Sequence, residues 1–113
     1  MLAVEYLEEA GFSVDSAGSA AEAMNKLGLI PGGVDAAIVD MGLPDQTGDV
    51  LIREMRTLHP TLPVIVATGQ GADSIRDIFK GEPNFAFVQK PYSAVDLLGA
   101  LRSLGVHTHL YNN

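Results

Sequence analysis

Val34-Asp35-Ala36-Ala37-Ile38-Val39-Asp40-Met41-Gly42-Leu43-Pro44 is the stretch on which the fold turns. Apolar residues run almost unbroken from Val34 to Val39, and a short apolar run bounded by turn signals reads as a buried strand. The segment from Gly28 to Gly33, with its glycines and Pro31, breaks the chain before it. The strand ends in a carboxylate, Asp40. A strand apolar on both sides is what a parallel sheet covered on both faces requires.

The segments on either side repeat the arrangement. Upstream, Leu2, Ala3, Tyr6, Leu7 and Ala10 recur at helical spacing, with Glu5, Glu8 and Glu9 between them and Gly11 as a stop. Phe12 to Ser16 alternates apolar with polar and predicts a short strand. Ser19-Ala20-Ala21-Glu22 then has the form of a capping box in front of Ala23, Met24 and Leu27. Downstream, Leu51, Ile52, Met55 and Leu58 form a helical stripe that stops at His59-Pro60, because proline disfavours helical geometry in the residue before it. Leu62 to Ala67 predicts the next strand, followed by a polar, glycine-rich stretch from Thr68 to Ala72 and a short helix from Asp73 to Lys80. Phe85 to Gln89 predicts the last strand, closed by Lys90-Pro91. Ser93 and Asp96 mark a final helix start, and Val95, Leu97, Leu98, Leu101 and Leu104 supply its apolar face up to Gly105. Helix and strand alternate throughout, which implies a parallel sheet with helices on both faces and ligands at the carboxyl ends of the strands. The expected organisation is one domain over residues 1–105 and a tail over 106–113.

Composition narrows the function classes. The 113 residues are 47% hydrophobic and carry seven basic against fourteen acidic side chains, a net charge of -7. That describes an acidic globular domain whose surface repels phosphate backbones, so no direct nucleic-acid ligand is expected. There is no cysteine, which removes thiolate nucleophiles and disulfides and fits a cytoplasmic setting. No apolar run approaches the roughly 18 to 20 residues of a membrane helix, and no membrane role is expected.

Asp40, Thr68 and Lys90 each follow a predicted strand. Taken singly, each has an ordinary explanation: a turn aspartate, a threonine bonded to backbone and a solvated lysine. Strand ends in a parallel sheet lie side by side, however, and would gather a carboxylate, a hydroxyl and an ammonium at one shallow site. That set suits a phosphoryl group, with the carboxylate as nucleophile or metal ligand, the hydroxyl as hydrogen-bond donor and the ammonium as counter-charge.

Val34 to Pro44 with Gly48, then Val64-Ile65-Val66-Ala67-Thr68, then Phe87-Val88-Gln89-Lys90-Pro91, resembles the receiver domains of response regulators. The resemblance extends through Leu104. It implies a flavodoxin-like three-layer α/β/α fold and a protein that is not itself an enzyme. Asp40 would take a phosphoryl group from a sensor histidine kinase or a histidine phosphotransfer protein, and Thr68 and Lys90 would read the acyl phosphate. The resemblance further implies that the Gly42 backbone carbonyl and Asp40 ligate magnesium, that the Lys90–Pro91 bond is cis and that Phe87 is the aromatic switch residue.

Receiver domains also begin with a hydrophobic strand followed by an acidic pair, and neither precedes the first predicted helix of this chain. Glu5, Glu8 and Glu9 lie within that helix and read as a solvated face. Without the acidic pair, magnesium binding is expected to be weakened or absent. The first strand of a sheet ordered 2-1-3-4-5 is interior, so its loss predicts four strands, or else a rearranged sheet or strand exchange in a homo-oligomer through unpaired edges. A chain whose true start lies upstream of Met1 is an equal explanation.

Three other functions compete. A receiver that is never phosphorylated would serve as a protein-interaction module. A phosphatase of the haloacid-dehalogenase kind would want a second acid where Gly42 stands. A flavin-binding module would want a phosphate-cradling loop after its first strand. His59 at a helix end, and His107 and His109 in the tail, are assigned no role.

Overall fold

The computed structural model describes residues 7–30, 34–69, 77–81 and 83–106. The expectations placed on Leu2, Ala3, Glu5 and Tyr6, on the glycine-rich stretch beyond Gly69, on the start of the helix at Asp73, and on His107 and His109 lie outside them. The ordered elements are α1 (Ala20–Leu29), β1 (Ala37–Asp40), α2 (Gly48–Leu58), β2 (Val64–Thr68), β3 (Phe85–Gln89) and α3 (Ala94–Ser103). Residues 7–9 and 77–78 are also helical.

The three strands form one parallel sheet in the order β1-β2-β3. Alternation along the strands sends side chains to two faces, and each face builds its own core. On one side Val39, Val64 and Val66 meet Ala20 and Leu27 of α1, and Leu51, Ile52 and Met55 of α2. On the other, Ile65, Ala67 and Val88 meet Leu97 and Leu101 of α3 and Leu7. These are the layers of an α/β/α sandwich, and they explain why every residue of β2 is buried. No helix among the described residues is long and apolar enough to cross a membrane.

Element ends follow local chemistry. Ser93 and Asp96 complete a reciprocal capping box at the start of α3. At α1 the box is half formed: Ser19 Oγ accepts from the Glu22 N–H, but the Glu22 carboxylate accepts from the Gly18 N–H. The expected break at Gly28 is displaced, since α1 runs through it to Leu29 and stops where Ile30, extended at ψ 114°, precedes Pro31. Gly105, at φ +81°, ends α3 in a Schellman turn, its N–H bonded to the Arg102 carbonyl and that of Val106 to Leu101. Gly11, at φ +97°, ends the first helical turn in the same way through Glu8 and Leu7. Val106 packs on the second core, so the first residue of the expected tail belongs to the domain.

The predicted strand Phe12–Ser16 is not one. Phe12 and Val14 pack against the second core, as the alternation required, but this backbone forms no ladder with any described strand. Side-chain alternation sets which residues face inward, whereas a strand also needs a hydrogen-bonding neighbour. The described sheet therefore has three strands rather than four, and their consecutive order shows no rearrangement.

Gly48, the first residue of α2, lies against the chain that follows β1. A Cβ there would fall 2.8 Å from the Asp40 carbonyl oxygen and 3.0 Å from the Met41 Cα. Both are backbone atoms, and the close approach lets the Gly48 N–H reach the Met41 carbonyl at 3.3 Å. Gly48→Ala is expected to cost about 1–3 kcal/mol, the usual penalty for forcing atoms into filled space. Urea unfolding measures it, and an unchanged midpoint would mean that the loop yields freely.

Candidate functional site

The ladder register brings the chemistry together. Asp40 lies opposite Ala67, and Thr68 lies opposite Gln89. The bonding continues one step beyond the strands, with the Met41 N–H on the Ala67 carbonyl at 3.2 Å and the Lys90 N–H on the Thr68 carbonyl at 2.7 Å. Asp40, Thr68 and Lys90 thus end neighbouring strands at one edge of the sheet.

Asp40 and Lys90 form an ion pair through Asp40 Oδ2 and Lys90 Nζ. Both side chains remain open to solvent, with exposures of 43% and 42%. The other carboxylate oxygen, Oδ1, accepts from the Gly42 N–H at 2.9 Å. Partial burial works to raise the Asp40 pKa, but the Lys90 hydrogen bond, the Gly42 N–H and the Lys90 charge outweigh it, and the carboxyl sits below its ordinary value of 3.8. Asp40 is therefore ionised at neutral pH.

Thr68 is buried, at 1% exposure, and belongs to the opposite set of alternating side chains. Its face carries Val64 and Val66, and Val66 lies opposite Phe87. Phe87 is half-buried and tilted on Phe85 at a centroid distance of 6.1 Å, and Phe85 stacks on Phe79 at 4.6 Å. A row of rings on Thr68's own face connects the site edge to the turn around Phe79. The Lys90–Pro91 peptide is cis.

Among the described residues the donor set is incomplete for magnesium. Among the described residues no group of three His, Cys, Asp or Glu side chains could hold a metal. Both Asp40 oxygens are engaged, one by a cation and one by an amide. Magnesium prefers octahedral oxygen ligation, usually through one or two carboxylates, and Asp40, which shares its carboxylate with Lys90, would be one such ligand.

Sequence reasoning missed Asp45. Its Oδ1 accepts from the Ala20 N–H at 2.9 Å and its Oδ2 from the Ala21 N–H at 3.0 Å, so it caps α1 from the loop that follows β1. These bonds hold its carboxyl below the usual range. The local signal was only Pro44-Asp45, which reads as a turn, and no sequence pattern pairs a residue with a helix start 24 positions away.

Asp40 and Asp45 both have carboxyl pKa values depressed by folding. A group whose folded pKa lies below its unfolded value stabilises the fold above the unfolded value, and that stability is lost as pH falls through the folded one. The urea midpoint is expected to fall as pH drops below about 4, the ordinary carboxyl range, and less steeply in Asp45→Asn. An identical acid limb in that variant would remove Asp45 from the linkage.

Comparison with known proteins agrees with this geometry. A family model described as "Response regulator receiver domain" matches residues 1–102. The transcriptional regulatory protein PhoP of Escherichia coli K12 is 35% identical over 101 residues, covering 87% of this chain and 43% of PhoP. The sensor kinase CckA of Brucella abortus is 29% identical over 101 residues, covering 89% of this chain and 11% of CckA. The chain thus spans less than half the length of these curated relatives. Among solved structures, a response regulator receiver domain protein from Clostridium thermocellum superposes with a TM-score of 0.79 at 29% identity, over 88% of this chain and 79% of that one. A parallel sheet between two helical layers, with an aspartate, a threonine and a lysine at its carboxyl edge and a family match over nine-tenths of its length, places this chain in the response regulator receiver domain family of two-component signalling.

Proposed function

We propose that the chain accepts a phosphoryl group on Asp40 and signals through the Thr68 and Phe87 face of its sheet. The observation that carries this reading is the ionised Asp40 carboxylate, solvent-accessible at a strand end and paired with Lys90. The donor is a phosphohistidine of a sensor kinase or a phosphotransfer protein. One Asp40 oxygen attacks phosphorus, the N–P bond breaks, and its electron pair returns to the imidazole, which takes up a proton. Lys90 offsets the negative charge gathered on the phosphoryl oxygens, and the Thr68 hydroxyl donates to one of them. Movement of Thr68 toward the phosphoryl group shifts the packing of Phe87, which has no hydroxyl and acts through its ring alone. The chain carries the signal rather than turning over a substrate.

Intact mass after incubation with acetyl phosphate and magnesium tests the proposal. One added phosphoryl group is expected, and a chain that stays unmodified while a receiver control is labelled would overturn it. The absence of a three-ligand cluster among the described residues favours a second reading, an unphosphorylated interaction module. That outcome would support it. A homo-oligomer is the third element, because β1 pairs only with β2 among the described strands and leaves its outer edge open. Sedimentation that shows a monomer at every concentration would retire that element.

A further inference from the structure

We propose that Asp45 is a positioning residue for the chemistry at Asp40, anchoring the loop after β1 to α1 so that the Gly42 N–H stays on the Asp40 carboxylate. The inference rests on the reading of Asp40 as phosphoacceptor. α1 already has a local cap, since Ser19 Oγ takes the Glu22 N–H and the Ser19 carbonyl takes the Ala23 N–H. The N–H groups of Ala20 and Ala21 are left, and Asp45 takes one with each oxygen, at 2.9 and 3.0 Å. A carboxylate bound through both oxygens at the positive end of a helix is fixed in orientation as well as place.

The loop between Asp40 and Gly48 leaves β1 with the Met41 N–H on the Ala67 carbonyl at 3.2 Å, and Gln46 Nε2 donates to the exposed Glu54 carboxylate at 3.4 Å. Gly48 N–H to the Met41 carbonyl, at 3.3 Å, joins it to α2. Gly42 N–H to Asp40 Oδ1, at 2.9 Å, joins it to the reacting carboxylate. Asp45 joins it to α1, five residues beyond Asp40, and directly follows Pro44, whose ring restricts the backbone. Without the Asp45 tie, the middle of the loop is held to the rest of the domain by the long, exposed Gln46–Glu54 bond, while the Met41, Gly42 and Gly48 bonds act at its two ends. The Gly42 amide is then free to leave Asp40 Oδ1, and the carboxylate to turn about its remaining bond to Lys90.

The test compares Asp45→Ala and Asp45→Asn with Ser19→Ala in the full chain. Ser19→Ala weakens the same helix terminus without touching the loop. Hydrogen exchange at the Gly42 amide is expected to rise about tenfold or more in Asp45→Ala, as a hydrogen-bonded amide becomes open. Asp45→Asn, which keeps an acceptor but loses the charge, falls between Asp45→Ala and the parent. Labelling by acetyl phosphate is expected to slow about tenfold in Asp45→Ala and to stay within about twofold in Ser19→Ala, since misplacement near a reacting atom costs rate steeply. Equal effects of Ser19→Ala and Asp45→Ala on Gly42 exchange would reduce Asp45 to a helix cap, and no effect of either would remove the link. If the parent chain takes no phosphoryl group, the phosphoacceptor reading fails, while Gly42 exchange still decides whether Asp45 positions the loop.

Discussion

Asp40→Asn will abolish phosphoryl labelling and leave the chain folded. The substitution keeps the shape of the side chain and an oxygen for the Gly42 N–H, but it replaces an ionised carboxylate, the proposed nucleophile, with a neutral amide. Lys90 loses its ion partner. With both side chains more than two-fifths exposed, the ammonium returns to water, and the lost pair is worth no more than about 1 kcal/mol. Intact mass should show no gain, and circular dichroism should show the parental spectrum. Residual labelling at the parental level would mean that another group is the acceptor, and collapse of the fold would mean that the Asp40–Lys90 pair supports the sheet.

Leu97→Ala will have the largest effect on stability. Leu97 is fully buried on α3, within the core formed by Ile65, Ala67, Val88 and Leu101. Truncation removes buried methyl groups and leaves a cavity, which costs about 2–5 kcal/mol. That is a large part of the roughly 5–15 kcal/mol that holds a domain of this size together. Val95 on the same helix is 78% exposed, and Val95→Ala should change stability by less than about 0.5 kcal/mol. Paired urea titrations read the contrast directly. Similar midpoints for the two variants would show that α3 does not cover the sheet as described.

The difference between Val95 and Leu97 of α3 was only partly legible in the sequence. Periodicity placed Val95 on the apolar face with Leu97, Leu98, Leu101 and Leu104, yet Val95 stands in the first turn of the helix and meets solvent. Strand ends were read closely, because Asp40, Thr68 and Lys90 interrupt apolar runs. Strand starts were read too early: β1 begins at Ala37, not Val34, and β2 at Val64, not Leu62. Pro63 has no N–H to give a ladder, although its carbonyl accepts from Ala37 at 3.0 Å. Phe12 to Ser16 failed for a related reason, since pairing is a property of two segments and alternation of one. Asp45 was illegible for the same cause, as its partners belong to a helix start distant in sequence.

Localising the acyl phosphate tests the assignment of Asp40 most directly. After incubation with acetyl phosphate, hydroxylamine attacks an acyl phosphate at its carbonyl carbon, releases phosphate and leaves a hydroxamate on the acceptor residue. Peptide mass spectrometry then reads which residue carries it. The phosphoacceptor assignment predicts a hydroxamate on Asp40 alone, absent without acetyl phosphate. A hydroxamate on any other carboxylate, or none on a chain that has gained a phosphoryl group, would contradict it.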